Sequence, residues 1–112
     1  MRKPVGREVV IVEAVRTPIG RGKPGTGLYA DTHPNELLGA VYTDLIDRAT
    51  IDPREVGDVI AGAVAQVGEQ STNVARNAWL QAGLPVEVPA ISVDRQCGSA
   101  QSAVDLAAAL IA

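Results

Sequence analysis

The alternation of short β-branched runs with helical stretches restricts the fold more than any other feature of this sequence. The runs are rich in Val, Ile and Ala, which is typical of buried strands. In chain order we predict strand 8–15, a helix from Pro34 to the turn at 51–53, strand 56–64, helix 74–82, strand 88–93 and helix 100–112. This β-α-β-α-β-α order predicts an α/β fold with a parallel, layered sheet.

The helices carry start signals and apolar faces of their own. Pro34 suits the first turn of a helix, and Glu36 follows in that turn. The last helix is expected to turn one face inward, formed by Ala103, Leu106, Ala107, Leu110 and Ile111. Because the sequence stops on this apolar helix with nothing to cap it, we expect residues 1–112 to be the N-terminal piece of a larger protein.

Composition excludes several classes of function. The 112 residues correspond to one domain at most, and the net charge of −3 argues against a nucleic-acid binder. One Cys and one His permit no intramolecular disulfide and make a protein-built metal site improbable. No apolar run approaches the length of a bilayer span, and the N-terminus does not resemble a signal peptide. We therefore expect a cytoplasmic protein without membrane or nucleic-acid partners.

Cys97 lies in the one segment that suggests chemistry, between strand 88–93 and the helix that follows at once. A helix N-terminus favours a thiolate, and open α/β sheets bind ligands beyond the carboxyl ends of their strands. Gly98 and Ser99 keep the next positions small, so a substrate could approach. The alternative is that Cys97 is a small buried hydrophobic residue, as most lone cysteines are.

Three ordered segments resemble one family. The stretch VDRQCGSAQSAV at 93–104 is similar to the nucleophile segment of thiolases, the acyl-CoA C-acyltransferases. AVRTPIG at 14–20 and GAVAQVGEQSTNVAR at 62–76 resemble further thiolase segments. The resemblance implies the layered αβαβα sandwich of that family, of which residues 1–112 would form part of the N-terminal half.

The resemblance also implies a mechanism in which Cys97 becomes acylated by an acyl-CoA thioester. The reaction would be thiolytic cleavage of a 3-ketoacyl-CoA or condensation of acetyl-CoA, with coenzyme A esters as substrates and no cofactor. The family's catalytic His, in a Gly-His-Pro motif, and its second Cys are missing here. We expect this chain alone to be inactive and to require the rest of a thiolase chain, within a homodimer or homotetramer.

Other polar residues carry weaker expectations. His33 precedes a Pro but is expected to cap the first helix or lie on the surface. Arg16 and Arg21 are interpreted as surface charges, and Asp94 and Arg95 as residues that fix the turn by an ion pair or hydrogen bonds. For a polar cluster before the second helix, a dimer-interface role and a solvated loop capped by Asn73 stay equally open; its members are Gln66, Gln70, Asn73 and Arg76.

Three alternatives remain beside the thiolase interpretation. Related condensing enzymes such as ketoacyl synthases share the fold and the Cys. The chain could also be a non-catalytic truncated subunit that assembles with a partner, or a small α/β protein with a redox-sensing Cys97. Acyl chain length, including steroid side chains, is left open. We expect 1–112 alone to fold poorly, and a monomeric 1–112 chain with a cooperative melt would contradict this.

Overall fold

The first helix, α1 (Pro34–Ala49), begins where the sequence predicts, in a computed structural model that describes residues 6–112. His33 caps it: the imidazole Nδ1 accepts a hydrogen bond from the backbone N–H of Asn35 at 3.0 Å. The helix ends at Thr50, whose left-handed φ of 54° stops it. The predicted capping role of His33 is thereby confirmed.

Two parallel strands form the sheet, β1 (Val59–Gly62) and β2 (Ala90–Val93). Their register pairs Val59 with Ala90 and Gly62 with Val93. The helix α2 (Val74–Gln81) lies between them in sequence and forms the crossover that a parallel pair requires. Both strands are shorter than the predicted 56–64 and 88–93, but they lie within those ranges. Short 3-10 turns occur at Pro53–Glu55 and Gly68–Gln70.

Trp79 of α2 is the centre of the core. It is 2% exposed and packs against Val59 and Val88. Its indole Nε1 donates a hydrogen bond to the carbonyl of Pro85 at 2.7 Å, so its polar atom is satisfied. Tyr42 of α1 meets the indole edge to face, with ring centroids 5.6 Å apart. Trp79 therefore joins α1 and α2 to the sheet.

The last helix, α3 (Ser99–Ile111), lies on the other face of the sheet. Neighbouring strand residues point to opposite faces. Val59 packs against Trp79, whereas Ile60 lines a groove of about 700 Å³ beside α3. The order helix, strand, helix, strand, helix around a parallel pair confirms the predicted α/β class.

The inward face predicted for α3 is only partly covered. Ala103 is buried and Ala107 is half-buried, as expected. Leu110 is 62% exposed, and Leu106 and Ile111 are exposed as well. The residues described here contain no element that packs over this end of the helix.

The prediction of a first strand at 8–15 is wrong for this structure. No strand is formed there, and Ile11 is 83% exposed. A strand exists only through pairing, and within residues 6–112 this run has no strand partner. Its apolar composition is typical of a strand, but a strand also needs a neighbouring strand with which to form backbone hydrogen bonds.

Candidate functional site

Cys97 lies in the turn that joins β2 to α3, two residues before α3 begins, and its side chain is exposed. Because β2 is paired with β1 in the sheet and α3 packs closely against β1, the turn holds the thiol at the carboxyl end of β2. The interpretation of Cys97 as a buried hydrophobic residue is therefore wrong. The thiol is accessible at the edge where α/β sheets bind ligands.

Hydrogen bonds fix the turn ahead of Cys97. The carboxylate Oδ1 of Asp94 accepts the backbone N–H of Gln96 at 2.8 Å, which is an Asx turn. Gln96 adopts a left-handed φ of 51°, which is costly for a residue with a side chain. Of the two expectations for Asp94 and Arg95, hydrogen bonding is confirmed, and no ion pair between them occurs among the described residues.

The first turn of α3 lies directly beside the thiol. Gly98 is the N-cap residue, with no side-chain cap, and its carbonyl accepts the N–H of Ser102 at 2.9 Å. A helix N-terminus presents backbone N–H groups and a positive potential, both of which favour negative charge nearby. The N–H groups of Gly98 and Ser99 donate to the carbonyls of Arg95 and Gln96 at 3.0 and 3.2 Å, so what the turn gives the accessible sulfur is the positive end of the helix, where an oxyanion is favoured.

Gly62 allows α3 to begin where it does. A Cβ built on this residue would lie 2.4 Å from the carbonyl carbon of Ser99 and 2.4 Å from the nitrogen of Ala100. Only a glycine leaves room for the helix backbone to approach β1 so closely. The position of the Cys97 turn over the sheet therefore depends on the residue that ends β1.

A polar network connects β2 to α2 behind the site. The hydroxyl of Ser92 donates to the Asn73 side chain at 2.9 Å and accepts the N–H of Ala75 at 3.0 Å. Asn73 in turn donates to the carbonyl of Ala90 at 2.9 Å and caps α2 through the N–H of Arg76. The predicted N-cap role of Asn73 is confirmed.

The side chains of the other members of the polar cluster donate hydrogen bonds to backbone carbonyls of this chain. Gln66 donates to the carbonyl of Ala63 at 3.0 Å, and Gln70 donates to that of Ala65 at 2.8 Å. Arg76 donates to two carbonyls in the segment before β2 at 2.6 and 2.8 Å. These contacts explain the cluster within one chain, and its proposed place at a dimer interface stays a prediction.

The loop arginines show no role at the thiol. Arg16 and Arg21 are exposed, and Arg16 donates to the carbonyl of Thr17 at 3.1 Å.

Within 6–112, no three His, Cys, Asp or Glu side chains come together as a metal site would require. None of the described helices has the length and apolarity to cross a bilayer.

Three residues at the site were not identified from the sequence. Gln96 gave no signal, because a left-handed conformation is unusual for this residue type. From the sequence, Ser99 is interpreted only as a small residue beside Cys97, whereas in the structure it is buried and its hydroxyl forms hydrogen bonds with the backbone of Arg95 and Gln96. The only signal in the sequence for Gly62 is that it is a small residue near the end of the predicted strand 56–64, where another element can approach the backbone closely.

The chain matches known proteins over nearly its whole length. The family model for the thiolase N-terminal domain matches residues 9–112. A steroid 3-ketoacyl-CoA thiolase of Mycobacterium tuberculosis is 47% identical over 98% of this chain, and a 3-ketoacyl-CoA thiolase of Saccharophagus degradans is 49% identical over 94%. The chain spans about a quarter of the length of these relatives, 26% and 27%.

A solved structure shares the fold. The acetyl-CoA acetyltransferase of Bacillus anthracis superposes with a TM-score of 0.78 at 37% identity, covering 88% of this chain and 24% of the other. The predicted fold class, a part of the thiolase sandwich, is thereby confirmed. Together with the match of the N-terminal domain model over 9–112, this shows that the chain belongs to the thiolase family.

Proposed function

We propose that this chain supplies the nucleophile of a thiolase-type acyl-CoA C-acyltransferase, and that the nucleophile is Cys97. The observation that carries the proposal is the exposed thiol in the turn between β2 and α3. That turn holds the sulfur beside a helix N-terminus, where the negative charge of a tetrahedral intermediate is favoured. Membership of the thiolase family supports the choice of reaction class.

In the proposed transfer, the sulfur of Cys97 forms a bond with the carbonyl carbon of an acyl-CoA thioester. The bond between that carbon and the coenzyme A sulfur breaks, and the proton of the Cys97 thiol ends on coenzyme A. With a 3-ketoacyl-CoA, the sulfur instead forms its bond with the ketone carbon, the bond between that carbon and the neighbouring CH2 breaks, and the departing carbanion takes up a proton and leaves as acetyl-CoA. The thiol of free coenzyme A then takes the acyl group, and its proton returns to the Cys97 sulfur. The backbone N–H of Cys97 is the oxyanion donor that this chain offers.

A thiol alone does not complete this chemistry, since covalent catalysis also needs a base to activate the nucleophile. The only His, His33, is engaged as the cap of α1. We infer that the base and a second proton-carrying group come from further thiolase polypeptide, and that residues 1–112 alone do not turn over. The groove between β1 and α3 does not include Cys97, so the acyl pocket also needs additional walls.

The exposed apolar surface supports assembly with further polypeptide, as a homodimer or homotetramer of complete subunits. The radius of gyration is 15.5 Å, compared with about 13 Å for a compact domain of this length. The accessible surface is 8227 Å², whereas a typical monomer of this mass exposes roughly 5,800 Å². Leucine, isoleucine and valine side chains on α3 and in 9–12 contribute to the excess. We place the assembly in the reducing cytoplasm, which suits a free thiol.

The test uses the native assembly, meaning the protein isolated from its source with whatever polypeptide accompanies it. Denatured intact mass is measured first, because a value above 11.6 kDa would reveal a longer chain. The assembly is then incubated with acetyl-CoA, and acetylation is located by peptide mass. We expect the acetyl group on Cys97, released by free coenzyme A, and none in the Cys97→Ser variant.

A different result would reject the proposal. If acetyl-CoA neither acetylates Cys97 nor protects it from iodoacetamide in the native assembly, the thiol is not an acyl acceptor. Slow alkylation in the same experiment would indicate an inert cysteine and would also exclude the redox-sensor alternative.

A further inference from the structure

Ser99 is the one polar residue that is buried within residues 6–112, at 5% exposure. Its hydroxyl accepts the backbone N–H of Arg95 at 2.9 Å and donates to the carbonyl of Gln96 at 2.6 Å. Both partners belong to the two residues that precede Cys97. A single side chain of α3 thus reaches back and bonds two successive residues of the turn, including the carbonyl of the peptide unit that leads into Cys97.

The turn needs such a restraint because its backbone is strained. Gln96 has a φ of 51°, a left-handed conformation in which the Cβ of a residue lies too close to the following carbonyl oxygen. The Asx turn from Asp94 bonds the N–H of Gln96, and Ser99 bonds its carbonyl. The two side chains therefore hold the strained residue from both ends.

The start of α3 provides a firm support for this restraint. The backbone of Ser99 lies against β1 so closely that Gly62 has no room for a Cβ. Because Ser99 is held against β1, its hydrogen bonds to Arg95 and Gln96 fix these residues relative to the sheet. The two hydrogen bonds of the hydroxyl are only partly buried, so water can replace them if the hydroxyl is removed. Removal should then loosen the turn while the protein remains folded.

We propose that Ser99 is a positioning residue for Cys97, whose hydroxyl holds the 95–97 backbone so that the sulfur meets the thioester carbonyl in one orientation. The inference rests on the proposed function for its catalytic meaning. Small errors of placement are costly in acyl transfer, since a displacement of about 1 Å can slow a reaction by about 100-fold. A small alkylating reagent needs no such alignment.

The experiment compares Ser99→Ala with Ser102→Ala in the native assembly. Ser102 is the matched control: it lies in the same helix, and within residues 6–112 its hydroxyl has one hydrogen bond, accepted from the Arg95 guanidinium at 3.5 Å. Three quantities are measured: acetyl transfer from acetyl-CoA to Cys97, alkylation of Cys97 by iodoacetamide, and hydrogen exchange of the Arg95 amide.

For Ser99→Ala we expect acetyl transfer to slow by ~10- to 100-fold, because the sulfur must meet the thioester carbonyl in one orientation. Alkylation should change by less than about two-fold, because iodoacetamide can approach the sulfur from many directions. The Arg95 amide should exchange at least about ten-fold faster, since it has lost its acceptor. Ser102→Ala should match the parent protein in all three quantities.

Unchanged acetyl transfer in Ser99→Ala overturns the inference, as does an equal fall in transfer and alkylation, which would indicate general disruption. If the parent protein takes no acetyl group but is alkylated normally, the proposed function fails instead. The structural part of the inference is then decided by the Arg95 amide, and unchanged exchange in Ser99→Ala would overturn that part too.

Discussion

Replacing Gly62 by alanine should displace the start of α3 and with it the Cys97 turn. The added Cβ would lie 2.4 Å from two backbone atoms of Ser99 and Ala100, whereas ordinary contact begins near 3.4 Å. Backbone atoms cannot rotate away, so α3 and β1 must separate by about 1 Å, and overpacking of this kind costs about 1–3 kcal/mol. The same displacement should slow acetyl transfer to Cys97 by about 100-fold.

The assay combines urea unfolding of the native assembly with the acetyl-transfer measurement. Gly57→Ala is the matched control, because Gly57 precedes the same strand, and its added Cβ would meet nothing within 4 Å. We expect this control to be neutral or stabilised by about 0.4–1 kcal/mol. If Gly62→Ala unfolds at the same urea concentration as the parent protein and accepts acetyl groups at the same rate, the close approach does not set the position of the site.

Two further predictions concern the core behind the site. Trp79→Ala should destabilise the protein by about 3–5 kcal/mol, because it removes a buried indole and its hydrogen bond to Pro85, and a urea midpoint within error of the parent protein would contradict this. Burial raises the pKa of Tyr42 from 10.0 to about 12, so the unfolded state loses this proton at lower pH than the folded state. Stability from this group is thus complete below pH 10 and should fall as pH rises towards 12. The parent protein should therefore lose more stability than Tyr42→Phe over this range in urea unfolding, and equal losses would show that Tyr42 is not the group responsible.

The local signals in the sequence predicted the helices and the paired strands well. Pro34 and His33 place the start of α1, and Asn73 caps α2, because these are side-chain-to-backbone contacts over a few residues. The placement of Cys97 between a strand and a helix follows from the same local patterns. Its exposure could be argued only from the polar and small residues on either side of it.

The run at 8–15 shows the limit of such signals. Its β-branched residues predict a strand, yet pairing depends on an edge that distant residues must provide. Among residues 6–112 the run has no strand partner, and Ile11 is exposed. The same reasoning explains Leu110, whose helical spacing predicts an inward position but whose burial needs another element to pack against it.

The α/β class, the order of the elements from Pro34 onward and the place of Cys97 between β2 and α3 could all be predicted from the order of the residues alone. These follow from periodicity, capping and turn chemistry, which act between near neighbours in the chain. Three features become visible only in the folded chain: Gly62 admits the start of α3, Gln96 adopts a left-handed backbone, and the Ser99 hydroxyl bonds the carbonyl of the peptide unit before Cys97. Each of these depends on how closely α3 approaches β1, a distance that no local pattern in the sequence encodes.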